Sequence, residues 1–397
     1  MDKKGNRYQA WLAERERDGL VRALRTIGRE GPAAITVDGE PYINFSGNDY
    51  LGLAAHPALI ERSREWAREW GAGSAASRLV TGNLAPFEAI EAKVAALKGS
   101  EAALLMASGF QANTSVLQAL FDRQVLGAEP LVFADRLNHA SMHFGCQAAG
   151  VRQLRYRHCD IAHLEELLAK HGHDEGCKFI LTESVFSMDG DLAPVAEIVA
   201  LARKHDAFVV CDDAHATGVL GFGGKGLSDG ADLVIGTFSK ALGSFGAYVA
   251  SSQGMRDYLI NRCTGLIYST ALPPPVLGAI DAALDLLPSL DAQRDHVAGL
   301  ANRFRNEAQA LGYDTGTSST QIVPLVVGEA EDALALSARL AETGFWAAAI
   351  RPPTVPKGSA RLRFAFSAAH DDAHLDGLLA ALAPDAGARA VSPGVAS

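Results

Sequence analysis

The 397-residue sequence predicts an α/β fold: a large domain with a mostly parallel sheet covered by helices, then a smaller α+β C-terminal domain. Three observations carry that prediction. The chain exceeds the roughly 250–300 residues at which single cores split. From about residue 100 to 250, short apolar runs alternate with helical patterns, as in a parallel sheet covered on both faces. Pro273-Pro274-Pro275 then interrupts the chain before a helical region that starts near Val276. The division expected is an N-terminal helix and arm (1–50), a large domain (51–285), a small domain (286–383) and a turn-rich, disordered tail (384–397).

Each element follows from local pattern. Between about 8 and 27, Leu12, Leu20, Leu24 and Ile27 sit among arginines, which predicts an amphipathic helix. The runs 102–106, 131–134, 179–182, 208–211 and 233–236 are short, apolar and flanked by turn residues, as buried strands are. Asp160 caps a helix carrying Ile161, Leu164, Leu167 and Leu168, and Gly172 stops it. In the smaller domain, 322–328 and 361–366 read as strands.

Composition narrows the function. The net charge is −10 with no basic run, which argues against nucleic acid and anionic membranes as partners. Five cysteines without a C-x-x-C pair argue against a disulfide framework or a zinc site, and no metal is expected. The N-terminus is too charged for a signal peptide, and no apolar run approaches the roughly 18 residues of a membrane span. A cytoplasmic protein is the expectation.

Ligands of open α/β sheets bind beyond the carboxyl ends of the strands. There the polar residues collect. Gly109 and Phe110 open a helix after the first run, and its backbone N–H groups can face an anion. His139 follows the second run and Ser187 the third; a loop histidine and a turn serine are the plainer readings. Asp212 ends an apolar strand, either as a helix cap or as partner to a cationic nitrogen, with His215 close behind. Thr237 and Lys240 follow the last run. Lys240 is either a snorkelling lysine or a desolvated nucleophile. Taken together, an anion cradle, a flat ring partner, a buried carboxylate and a lysine match the parts of pyridoxal phosphate (PLP).

The ordered stretches FSGNDYLGL (45–53), ASGFQAN (107–113), DRLNHAS (135–141), TESVFSMDGD (182–191), VVCDDAHATG (209–218), GTFSKALG (236–243) and IYSTALPPP (267–275) resemble the α-oxoamine synthase family. These are fold-type I PLP-dependent transferases. They condense an amino acid with an acyl thioester and release carbon dioxide. The resemblance implies that Lys240 carries the cofactor and moves the Cα proton, while His139 faces the ring and contacts the acyl group. It implies that Asp212 pairs with the ring nitrogen, and that Ser187 and His215 reach the ring oxygen. Thr237, Gly109 and Phe110 would hold the phosphate, aided by Thr270 of the partner subunit in a homodimer with shared sites. Arg363 would clamp the amino acid's carboxylate, and Arg22, Asn48 and Thr354 would contact substrate.

The segment 349–363, with its double proline after Arg351, is similar to the biotin-pathway member, which uses L-alanine and a pimeloyl thioester. The thioester carrier is coenzyme A or an acyl-carrier protein. A glycine-using relative differs by one methyl in substrate, worth about 1–3 kcal/mol in a pocket. A non-catalytic relative would lack the lysine. Ala75, Ala76, Phe87 and Ala216 depart from the residues frequent in the family.

Overall fold

The computed structural model describes residues 5–17, 20–172 and 176–383, so the tail expected over 384–397 lies outside the described residues. The described residues form two compact units, one over 48–172, 176–187 and 191–295, the other over 5–17, 20–47, 188–190 and 296–383.

The larger unit is built on a seven-stranded sheet. Its spatial order is Ala102–Met106, Ala247–Ser251, Leu233–Thr237, Ala207–Asp212, Lys178–Glu183, Leu131–Asp135, Gln153–Tyr156. Ala247–Ser251 runs antiparallel to both neighbours, and the other pairings are parallel. This is the fold-type I architecture, a mostly parallel sheet flanked by helices. All five strand runs expected here are strands. Two more were not expected. Gln153–Tyr156 alternates polar with apolar residues at the sheet edge, and Ala247–Ser251 is short and follows glycines.

Burial on both faces explains the continuous apolar runs. Phe179, Leu181, Val210 and Ile235 pack on one face with Val116 and Leu120. Ile180, Val209 and Cys211 pack on the other with Leu164, Ile198 and Val199. The helix Ile161–Lys170 covers that second face, and the Asp160 side chain caps it by accepting the His163 N–H at 2.8 Å. The carboxyl ends of four parallel strands, at Asp135, Glu183, Asp212 and Thr237, share one edge of the sheet.

The smaller unit pairs Ile322–Gly328 with Ala360–Ala365 and that strand with Ala349–Ile350, all antiparallel. Its core joins Phe304, Val323, Leu340, Leu362 and Phe364. The N-terminal arm is built into this unit: Glu40–Asn44 runs parallel to Phe345–Trp346. The helix expected over 8–27 is corrected to Asn6–Arg17. Ile27 instead begins a strand paired with Ala34–Val37, and Asp38 accepts the Thr26 N–H at 2.9 Å. The helix buries no residue, so no packing extends it toward Ile27. Among the described residues, no helix is long and apolar enough to cross a membrane.

Candidate active site

A cavity of about 240 Å³ opens at the shared carboxyl edge of the large sheet. Seven of the expected residues line it: Gly109, Phe110, His139, Asp212, His215, Thr237 and Lys240. Roomier hollows lie elsewhere among the described residues. The one of about 530 Å³ sits where strands begin, at Lys178 and Ala207, and has no comparable set of polar groups.

Asp212 is 7% exposed at the end of its apolar strand. Its Oδ1 accepts the Ala214 N–H at 2.9 Å, and its Oδ2 accepts Asn113 Nδ2 at 2.6 Å. Those donors meet most of the cost of burying a carboxylate. Asn113 lies on the helix Gly109–Leu120, whose N-terminus faces the cavity and whose cap, Ser108, accepts the Gln111 N–H at 3.2 Å. Thr237 donates its hydroxyl to the Gly246 carbonyl at 2.8 Å and accepts the Ser239 N–H at 3.2 Å. These bonds shape the turn that presents Ser239 and Lys240 to the cavity. His215 Nδ1 lies 2.7 Å from the hydroxyl of Tyr50, a fully buried ring.

His139 caps the next helix and is exposed to the cavity. Burial lowers its pKa; the charge of Asp212 opposes that and the charge of Lys240 adds to it. Its backbone N–H donates to Glu183 Oε1. Glu183 stands beside Asp212 in the strand register and is 3% exposed. Burial pushes its carboxyl well above the usual range, and the Asp212 charge pushes it further. Burial and the neighbouring Asp212 both favour the protonated form of Glu183.

The other expected residues fall outside this cavity's lining. Asn48 accepts the Tyr50 hydroxyl at 3.1 Å, and Thr270 forms an isolated bridge with Ser77. Ser187 is half-buried at the end of the loop after Glu183. Arg22, Thr354 and Arg363 belong to the smaller unit. There Arg22 Nη2 donates to Thr354 Oγ1 at 3.2 Å. Arg363 is 7% exposed in the strand Ala360–Ala365. Arg361 shares its strand face but is held by Asp189 Oδ1 at 2.5 Å. Asp135, His158 and Cys159 cluster closely enough to suggest a metal. However, His158 binds Asp135 through Nδ1 (3.0 Å) and Asp191 through Nε2 (2.9 Å). Burial lowers its pKa, but those hydrogen bonds outweigh it and push it up to about 12, so the cluster is an ion-paired tether.

Sequence reasoning gave no role to Asn113, Ser141, Glu183, Ser239 or Tyr50. All five lay inside the matching stretches, but nothing in their spacing marks a helix amide or a strand-end acid as partner to Asp212.

Residues 40–382 match the family described as aminotransferase class I and II. The 8-amino-7-oxononanoate synthase of Gluconacetobacter diazotrophicus is 56% identical over 391 residues, covering 97% of this chain and 98% of that protein. A structure of SPT with a PLP internal aldimine shares 27% identity at a TM-score of 0.89, over 96% of this chain and 98% of the other. The 8-amino-7-oxononanoate synthase of Francisella tularensis has the same fold at a TM-score of 0.74 and 24% identity, over 86% and 97%. Fold and cavity together define a PLP-dependent enzyme of fold type I. The chain belongs to the class I and II aminotransferase family and, within it, to the acyltransferases of the 8-amino-7-oxononanoate synthase group.

The state of Glu183 has a thermodynamic consequence. Below the unfolded carboxyl's value of about 4.3, both folded and unfolded chains hold the proton. Above it the unfolded chain releases the proton and the folded chain keeps it, so this residue makes stability fall as pH rises. Glu183→Gln keeps an acceptor for the His139 N–H and removes the titration. Urea unfolding should give nearly equal midpoints for parent and variant near pH 4.5, and a higher midpoint for Glu183→Gln at pH 8. A variant that is no more stable at pH 8 would show that Glu183 is ionised in the fold.

Proposed function

We propose that this enzyme joins L-alanine to a pimeloyl thioester, carried on coenzyme A or an acyl-carrier protein. The products are 8-amino-7-oxononanoate, carbon dioxide and the free thiol, made in the cytoplasm for biotin synthesis. The observation that carries this reading is the 56% identity, over nearly the whole chain, to a protein named for that product.

The cavity fits PLP. It is smaller than the roughly 300–1,000 Å³ of drug-sized sites, as suits a one-ring ligand. A helix N-terminus and the Ser239 hydroxyl line it with anion-binding groups, and Asp212 and Lys240 line it too. Asn113 Oδ1 is buried without a hydrogen-bond partner among the described residues, so the walls hold an unmet acceptor. Gly109, Phe110 and Thr237 would hold the phosphate, with Thr270 of the partner subunit. Asp212 would hold a proton on the ring nitrogen, while His215 and Ser187 would serve the ring oxygen.

When bound, PLP supplies the electron sink for negative charge at the amino acid's α-carbon. Lys240 would carry the cofactor at rest and move the α-proton through Nζ. Arg363 would bind the alanine carboxylate with its planar fork and so orient the bond to be broken. Arg361, on the same strand face, pairs with Asp189. Arg22, Asn48 and Thr354 would contact substrate. His139 would form the wall next to the incoming acyl group. The large unit exposes Phe110, Phe144, Val80 and Tyr268, with Phe110 and Phe144 paired at 5.7 Å. Apolar exposure of this kind supports a homodimer.

The enzyme incubated with L-alanine and pimeloyl-coenzyme A should give 8-amino-7-oxononanoate by mass, with glycine and serine giving much less. Product from glycine alone would overturn the alanine reading. Borohydride treatment should fix the cofactor to Lys240, read by peptide mapping, and a label on another lysine would remove that assignment. Arg363→Ala should lose about 1.5–3 kcal/mol of alanine binding, roughly tenfold to over a hundredfold in affinity, with the thioester KM little changed. Absorbance titration of the cofactor band measures this, and a change under twofold would place the carboxylate site elsewhere. Lys240→Ala and Thr270→Ala subunits, mixed under conditions of proven exchange, should regain activity. No gain over the parents would argue against shared sites.

A further inference from the structure

A neutral histidine carries its one ring proton on either Nδ1 or Nε2, and the choice decides which edge donates. For His139 the surrounding donors make that choice. The Ser141 backbone N–H points at His139 Nδ1 from 3.3 Å, and the Ser141 hydroxyl lies 2.7 Å from the same atom. Asn113 Nδ2 lies 3.0 Å from Ser141 Oγ and 2.6 Å from Asp212 Oδ2.

The backbone N–H of Ser141 then selects one arrangement. An amide nitrogen donates and a carboxylate oxygen accepts, so Asp212 fixes which way the Asn113 amide faces. Asn113 Nδ2 therefore also donates to Ser141 Oγ. His139 Nδ1 accepts the Ser141 backbone N–H and so is unprotonated, which makes the serine hydroxyl the donor across the 2.7 Å contact. A nitrogen that accepts two donors carries no proton. The ring proton lies on Nε2, which makes no hydrogen bond to any described residue. The lowered pKa of His139, due first to burial, agrees with a neutral ring.

We propose that Asn113 and Ser141 are positioning residues that hold His139 as its Nε2–H tautomer, through a hydrogen-bond chain running from Asp212 to the His139 ring. The consequence for catalysis rests on the acyl-transfer reading above. A fixed N–H donor beside the incoming acyl group would meet negative charge as it develops on the thioester carbonyl oxygen. Both residues are buried, Asn113 at 1% and Ser141 at 0% exposure, so water does not compete for the chain.

The test uses the PLP-loaded enzyme with ring-¹⁵N histidine and long-range ¹H–¹⁵N NMR, the His139 signal being the one absent from His139→Asn. In the parent at neutral pH, Nδ1 should show the shift of an unprotonated acceptor and Nε2 that of a protonated nitrogen. In Ser141→Ala the Nδ1 shift should move toward the protonated value. There kcat/KM for the thioester should fall at least about tenfold, with alanine affinity within twofold. A protonated Nδ1 in the parent overturns the proposal, whether or not the variant folds. An unmoved Nδ1 shift in Ser141→Ala overturns it as well. If the parent shows the expected tautomer but makes no product from alanine and pimeloyl-coenzyme A, the functional reading fails and the hydrogen-bond chain stands.

Discussion

A carboxylate at the end of a strand buried on both faces has no bulk water to solvate it, and much of the large unit is arranged around that fact. Asp212 receives Asn113 from a helix and the Ala214 N–H from its own turn. The acid next to it, Glu183, stays neutral, because burial and the charge of Asp212 both oppose its ionisation. Asp213, one residue on, faces the same problem and meets it differently. It is fully buried, pairs with Lys98 at 2.5 Å, and accepts from Thr217, Ser228 and the Leu227 N–H. Those partners tie Asp213 to the sheet and to the loop beyond it. Asp212 lines the cavity instead, so its charge is available to a ligand. Two adjacent aspartates therefore divide the work: one anchors the chain, and the other serves the site.

The sequence revealed most where burial is symmetric. The strands 179–182, 208–211 and 233–236 were legible because both faces are covered, so every residue had to be apolar. Gln153–Tyr156 sits at the sheet edge and keeps polar residues, and Ala247–Ser251 mixes alanines and a serine with Tyr248 and Val249, so neither announced itself. The N-terminal helix was read too long because arginines interspersed with leucines satisfy the helical period, whereas the pairing of Ile27–Arg29 with Ala34–Val37 depends on a turn further along the chain.

The candidate site was legible through its misfits. A charge ending an apolar strand, or a lysine between a strand and glycines, conflicts with local preference, and such conflicts gather at functional places. The supporting groups do not conflict. Asn113 in a helix, Ser141 after a helix cap and Glu183 at a strand end are ordinary where they stand. Their meaning comes from Asp212 and His139, which approach them only when separate strands align. The pair Arg361 and Arg363 shows the same limit. Sequence alternation puts both on one strand face, and only the fold brings Asp189 to Arg361.

Three titratable groups of the large unit are shifted in different directions. His158 gains two carboxylate partners and is raised to about 12. A histidine raised in this way stabilises the fold below its unfolded value of about 6.5, and that contribution is lost only as pH climbs through the folded value. The tether between Asp135 and Asp191 therefore stays charged throughout the neutral range. It joins the segment leading to His139 to the loop that carries Ser187. His139 moves the other way, lowered first by burial, while burial raises Glu183. A cationic tether outside the cavity thus accompanies a ring and an acid within it whose uncharged forms burial favours.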